Sequence, residues 1–180
     1  QVLWGVDDAF LLGDNLLVAP ILEAEARQRR ITLPPGEWVD FWTDQSYPGG
    51  SEVEIPVNLE TIPLLARAGA ILPLALDKEL ALLINPPPVK EKMALPALSL
   101  YSDRGDGYDA WRSDRFSQQR QSNHLIIRWE PQGDYPFPYP EIEIKLHAVQ
   151  AQKAWLDGRE TNYDELVRIN QPFRTLEFEV

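Results

Sequence analysis

The sequence of 180 residues contains no cysteine and only two histidines. The absence of cysteine excludes disulfides, cysteine-based zinc or iron–sulfur sites and a thiol nucleophile. His124 and His147 are too few and too widely separated for a metal site, and we expect His147, at the end of an alternating strand, to lie at the surface. The sequence also lacks Gly-x-Gly-x-x-Gly, the P-loop and the Gly-x-Ser-x-Gly nucleophile elbow, so we predict no metal and no cofactor.

Basic residues and long apolar runs are scarce as well. Lys and Arg number 17 against 28 Asp and Glu, which gives a formal net charge of −11. Negative charge repels phosphate backbones and anionic lipid surfaces. The longest apolar runs, such as Ile71–Leu76 and Leu80–Ile84, fall far short of the roughly 20 residues of a membrane helix. We therefore predict neither a nucleic-acid nor a membrane partner.

Proline and tryptophan are abundant, with 16 and 6 residues, and they favour strands and turns over helix bundles. Glu141–Ala148 alternates strictly, so Ile142, Ile144 and Leu146 are predicted to face a core in an antiparallel sheet. Asp157-Gly158 predicts a type I′ hairpin turn. Short strands separated by Gly, Pro, Asn and Asp indicate an all-β fold of two β-sandwich domains in series.

The predicted boundary between the two domains is Asp77–Glu79, the first charge cluster after a long, mostly apolar stretch. The strands predicted in the second domain are Leu80–Asn85, Leu98–Ser102, His124–Glu130, Glu141–Ala148, Ala154–Leu156 and Thr175–Val180.

Trp111 and Tyr108, beside a glycine turn, are the candidates for a sugar-stacking platform. The apolar face of a pyranose packs on an indole ring as other apolar surfaces do. The alternative is that Trp111 covers the turn beneath it. Four other tryptophans at strand spacing are expected to be core residues: Trp38, Trp42, Trp129 and Trp155.

Two groups of acidic residues are candidates by residue type. The loop Asp103–Asp109 has carboxylates around glycines, which can hold calcium or can simply form a hairpin turn with capping aspartates. Asp7, Asp8 and Asp14 are of the type that hydrolyses glycosidic bonds in pairs, or they form a charged loop that leads into a strand.

Three long motifs follow one another along the chain: FLLGDNLLVAP at Phe10–Pro20, LPPGEWVDFWT at Leu33–Thr43 and TIPLLARAGAILP at Thr61–Pro73. In this order they resemble the C-terminal part of family-31 glycoside hydrolases, the α-glucosidase family. They are similar to the segment that closes the catalytic (β/α)8 barrel, to the first strands of the following sandwich and to the end of that domain.

A fourth motif, LYSDRGD at Leu100–Asp106, resembles the family's Tyr-Glu-Asp-Asp-Gly-Asp pattern. It has Ser102 and Arg104 where the pattern has Glu and Asp, which argues against an acidic site there.

The resemblance implies that residues 1–20 are a remnant of the barrel end, 21–76 a proximal sandwich and 77–180 a distal sandwich. Gln1–Asp8 has no initiating Met and no signal peptide, so we expect a longer polypeptide with the barrel upstream. We expect Gln1–Pro20, without barrel neighbours, to be mobile, swapped between copies or irregularly packed.

The implied parent enzyme cleaves α-glucosidic bonds with retention, using one Asp as nucleophile and another as acid/base. Neither family motif with these residues occurs in this chain, so no catalytic residue is predicted. The predicted function is that of a non-catalytic region that stabilises the barrel. The alternatives are a carbohydrate-binding module that binds oligo- or polysaccharide, and a scaffold region of a catalytically inactive relative.

Overall fold

The computed structural model describes residues 7–58, 60–76, 79–89, 97–105 and 110–180. These residues form strands and turns and contain no helix, so the predicted all-β fold is confirmed. The described part of the chain accordingly offers no helix that could cross a membrane. Residues 1–68 and 69–180 form two compact units, which we call the proximal unit and the distal unit.

The proximal unit consists of a five-stranded and a two-stranded antiparallel sheet. The larger has the order β1-β2-β7-β4-β5, and the smaller pairs β3 with β6. The strands are β1 (Phe10–Leu12), β2 (Leu16–Val18), β3 (Gln28–Thr32), β4 (Glu37–Asp40), β5 (Ser46–Pro48), β6 (Glu52–Pro56) and β7 (Leu64–Arg67). The buried cluster between the sheets comprises Leu17, Ala19, Ile31, Leu33, Trp38, Tyr47, Ile55 and Leu65.

Trp38 is the largest side chain of this core and is fully buried. Its indole N–H donates to the carbonyl of Pro34 at 2.8 Å, across the Pro-Pro-Gly turn before β4. The guanidinium carbon of Arg67 lies 4.6 Å from the centre of the Trp38 ring. The polar edge of a buried indole needs a hydrogen-bond acceptor. Trp38 therefore connects the turn to the proximal core.

The start of the chain departs from the expectation of irregular packing. β1 pairs with β2, and β2 pairs with β7 through Leu16 and Ala66. Leu17 and Ala19 are buried in the proximal core. For Phe10–Val18 the expectation was wrong, because β7 supplies the neighbouring strand. Gln1–Val6 lie outside the described residues.

The distal unit contains a six-stranded sheet of order β10-β11-β12-β17-β14-β15 and a four-stranded sheet of order β16-β13-β9-β8. Its strands are β8 (Ile71–Leu76), β9 (Glu79–Ile84), β10 (Leu98–Asp103), β11 (Trp111–Gln121), β12 (His124–Gly133), β13 (Ile142–Leu146), β14 (Lys153–Leu156), β15 (Arg159–Thr161), β16 (Leu166–Ile169) and β17 (Thr175–Glu179). One cluster of buried apolar residues from both sheets forms the core.

Local patterns predicted much of this unit. Ile142, Ile144 and Leu146 are buried, as the alternation of β13 indicated. Asp157 and Gly158 have φ values of 49° and 79°, which confirms the type I′ turn between β14 and β15. The pairing prediction was only half right. β13 is antiparallel to β16 but parallel to β9.

The units divide between residues 68 and 69, ahead of the predicted boundary at Asp77. The charge cluster at that boundary falls between β8 and β9, two strands of the distal unit that pair with each other. The division into 1–20, 21–76 and 77–180 stays a prediction.

Candidate carbohydrate-binding surface

The outer face of the six-stranded sheet places Trp111 in contact with solvent. Along β11, Asp114, Phe116 and Gln118 are buried against the core. Side chains alternate along a strand, so the odd-numbered residues lie on the opposite face. Trp111 is accordingly 43% exposed, which leaves much of its indole free to pack against a ligand.

The predicted partner of Trp111, Tyr108, lies outside the described residues, and the pair stays a prediction. A second tyrosine, Tyr101 on β10, is 66% exposed on the same outer face. Leu98 and Leu100 pack against the core, so the alternation within the motif LYSD points Tyr101 outward. Tyr101 was not among the residues predicted from the sequence, because only aromatic residues beside the glycine turn were candidates.

Asp103 lies two residues from Tyr101, on the same face of β10. The pKa of Tyr101 lies above its ordinary value, because nearby groups exclude water and because Asp103 offers a hydrogen bond and a negative charge. Asp103 also accepts the backbone N–H of Gly105 at 2.8 Å. The capping reading of the Asp103–Asp109 loop thus fits its described part. Residues 106–109 lie outside it.

The backbone of Trp111 is held in place by the end of β12. Its carbonyl accepts the N–H groups of Asp134 at 3.1 Å and Tyr135 at 3.2 Å. Gly133 has a φ of 89°, and a Cβ atom there would lie 2.1 Å from the Trp111 carbonyl oxygen. Only glycine at position 133 allows these two backbone segments to come this close.

Gly133→Ala is therefore expected to destabilise the distal unit by more than 2 kcal/mol, the sum of a left-handed conformation at about 1–2 kcal/mol and the displaced backbone. Gly158→Ala is the matched control, because Gly158 has a φ of 79° with nothing within 4 Å of the added Cβ atom. Urea unfolding measures both variants. Equal losses would contradict the close approach at Trp111.

Two of the three candidate aspartates, Asp8 and Asp14, contact arginines. Asp8 lines a cleft of about 410 Å³ at the β3–β6 pair. Its carboxylate is 2.6 Å from the guanidinium of Arg29. Asp14 contributes its backbone carbonyl to Arg67.

The two histidines are in different settings. His147 is buried, which corrects the expectation of a surface residue, and its Nδ1 lies 2.5 Å from the Asn85 side-chain oxygen. His124 is partly exposed on the outer face, with Nδ1 2.6 Å from the Glu177 carboxylate. Within the described ranges, no three His, Asp or Glu residues are grouped as metal ligands would be.

The proximal unit exposes apolar side chains that its own core does not use. Three consecutive residues of β1, Phe10, Leu11 and Leu12, are all exposed, and we call them the apolar edge. β1 is the last strand at its end of the five-stranded sheet. Trp42, which was expected in the core, is half exposed, and its indole N–H donates to the Ile62 carbonyl at 2.7 Å.

Comparison with known proteins assigns the first part of the chain to a protein family. Residues 1–72 match the family model described as the glycosyl hydrolase family 31 C-terminal domain. Residues 1–72 belong to the C-terminal domain of family-31 glycosyl hydrolases. The resemblance carried by the three motifs is thereby confirmed.

Relatives extend the likeness beyond residue 72. Alpha-glucosidase 2 of Bacillus thermoamyloliquefaciens is 28% identical over 86% of this chain and 21% of its own length. Neutral alpha-glucosidase AB of Sus scrofa is 43% identical over 39% of the chain and 8% of its own length. A family-31 dextranase of Flavobacterium johnsoniae, solved with isomaltotriose, has a TM-score of 0.80 at 20% identity over 96% of the chain and 27% of its own.

At 20% identity, the structural similarity to the dextranase shows a shared fold and nothing more. The chain spans 7%, 10% and 21% of the lengths of three curated relatives, an isomaltosyltransferase, an alpha-xylosidase and Alpha-glucosidase 2. The region matched is thus a small part of each of these proteins.

Proposed function

We propose that this chain is the non-catalytic C-terminal region of a retaining α-glucosidase and that its proximal unit stabilises the catalytic barrel of the same polypeptide. Supporting this, relatives named as alpha-glucosidases share the region. The chain itself carries neither family motif for the catalytic aspartates. A region of this kind acts on the reaction only through the stability of the domain that it covers.

The apolar edge is the observation that carries the proposal. An exposed sheet edge with three apolar side chains is unfavourable in water and promotes association. Burial against a barrel removes this surface from water, and a fully buried Leu contributes about 1.5–3 kcal/mol. Leu12, exposed on the edge strand, is the residue expected to lose most if the contact is broken.

Leu12→Lys in the polypeptide that includes the barrel tests the contact. We expect the half-life of α-glucosidase activity at elevated temperature to fall about tenfold or more, with kcat at low temperature unchanged. Val89→Lys is the matched control, because Leu12 and Val89 are both 64% exposed and Val89 lies in the distal unit. Equal half-lives of the two variants would refute barrel docking through this edge.

Absence of turnover is the second requirement of the proposal. The purified 180-residue chain is expected to hydrolyse an aryl α-glucoside no faster than buffer does. Hydrolysis above that background, repeated on independent preparations, would show that the chain carries its own catalytic residues.

Carbohydrate binding by the distal unit is a second candidate function, and the exposure of Trp111 supports it. Affinity electrophoresis through gels with starch or dextran tests it. We expect retarded migration of the wild-type chain and normal migration of Trp111→Ala. Trp42→Ala, in the proximal unit, is the control for loss of an exposed indole. Unretarded wild-type chain would remove this candidate.

A further inference from the structure

The register between β10 and β11 brings Tyr101 and Trp111 into one cluster. Tyr101 pairs with Ser113, and Asp103 pairs with Trp111. Tyr101 and Trp111 are therefore diagonal neighbours on one face, where Cα atoms are about 7–8 Å apart and large side chains can act together. These are two large aromatic side chains exposed on adjacent strands.

Polar side chains surround the two rings on the same face. Ser113 lies directly across from Tyr101, and Arg115 is the other diagonal neighbour of Tyr101. Gln132 on β12 pairs with Ser113 and continues the row. We call Tyr101, Asp103, Trp111, Ser113 and Arg115 the aromatic patch.

One charge of the aromatic patch is paired within the fold. The Arg115 guanidinium lies 2.6 Å from the Glu130 carboxylate on β12. The Asp103 carboxylate accepts the neutral backbone N–H of Gly105. With its guanidinium paired, on a chain of net charge −11, the patch is not expected to attract an anion. Two aromatic faces with hydroxyl groups beside them fit a neutral polyhydroxy ligand.

The patch is also held rigidly. The Trp111 carbonyl is fixed by two N–H groups from the chain after β12. β11 pairs with β10 from Trp111 to Phe116 on one side and with β12 from Arg112 to Gln121 on the other. Aromatic side chains on a fixed backbone bind with little loss of conformational freedom.

We propose that the aromatic patch binds a neutral oligosaccharide, with Tyr101 and Trp111 each packing against one sugar ring. This inference deepens the second candidate function and replaces Tyr108 by Tyr101 as the partner of Trp111. Two rings supply the apolar contacts that sugar C–H faces require, and the hydroxyl, carboxylate and guanidinium groups around them match sugar hydroxyls.

The test is a titration of the full 180-residue chain with dextran. Binding is measured by tryptophan fluorescence and by calorimetry. We expect Tyr101→Ala and Trp111→Ala each to weaken binding about tenfold, because each substitution removes one ring that packs against a sugar. Tyr101→Phe keeps the ring and should weaken binding less than threefold. Trp42→Ala, in the proximal unit, should leave binding unchanged.

The outcomes separate this inference from carbohydrate binding as such. If Trp111→Ala weakens binding and Tyr101→Ala does not, Tyr101 is not part of the site while carbohydrate binding stands. If the wild-type chain does not bind dextran, both ideas fail. Dextran sulfate has the same backbone with negative charge, and tighter binding of it than of dextran would overturn the neutral-ligand inference. The circular dichroism spectrum of each variant verifies that it is folded.

Discussion

Trp38→Ala is expected to lower the free energy of unfolding of the proximal unit by about 3–5 kcal/mol. The side chain is fully buried between the two sheets, so its removal leaves a large cavity. The Pro34 carbonyl loses its indole donor, and Arg67 loses the ring beneath its guanidinium. Urea unfolding followed by hydrogen exchange of the β4 and β7 amides isolates the response of this unit.

Trp42→Ala is the matched control, four residues along the chain. This indole is half exposed and makes one hydrogen bond, to Ile62. Its loss should cost about 1 kcal/mol. Equal effects of the two substitutions would mean that Trp38 does not occupy the centre of the proximal core.

Asp114→Ala is expected to destabilise the distal unit by about 3–5 kcal/mol. The carboxylate is fully buried and accepts hydrogen bonds from Arg112 at 2.7 and 2.9 Å and from the Trp129 indole at 2.7 Å. Its removal leaves the largely buried Arg112 guanidinium without this compensating charge. Urea unfolding of the purified chain measures the loss.

The double variant Arg112→Leu/Asp114→Leu should lose less than the sum of the two single variants, because no charge is then left buried. Arg115→Ala provides the comparison with an exposed pair on the same strand. The Arg115 and Glu130 side chains are both half exposed, and their charged groups lie 2.6 Å apart. Breaking this pair should lower the free energy of unfolding by about 0–1 kcal/mol. Additive losses at Arg112 and Asp114 would contradict the buried ion pair.

The same contacts explain why β11 was not predicted from the sequence. This strand, Trp111–Gln121, has Phe116 as its one large apolar side chain in the core. The neighbouring inward positions are Asp114 and Gln118, so apolar alternation is absent. Arg112 and Trp129 compensate Asp114, and the backbone carbonyls of Ala70 and Asn85 accept from Gln118. Apart from Arg112, which is two residues from Asp114 on β11, these partners are distant in sequence.

The two tryptophans of the WVDFW motif show the limit of strand spacing. A continuous strand would place Trp38 and Trp42 on one face. β4 ends at Asp40, whose carboxylate accepts the backbone N–H groups of Trp42 and Thr43 at 2.9 and 2.8 Å. The chain turns at this aspartate, and only Trp38 enters the core.

The sequence by itself determined the family, the all-β class and the absence of the catalytic motifs, because long motifs, alternation and turn residues are local properties. The outward position of Tyr101 was seen only in the structure, where Leu98 and Leu100, on the other face of β10, pack against the core. The tertiary structure alone decided that Tyr101 lies beside Trp111. That placement depends on the register of two strands, and strand register is set by pairing partners that local sequence patterns do not identify.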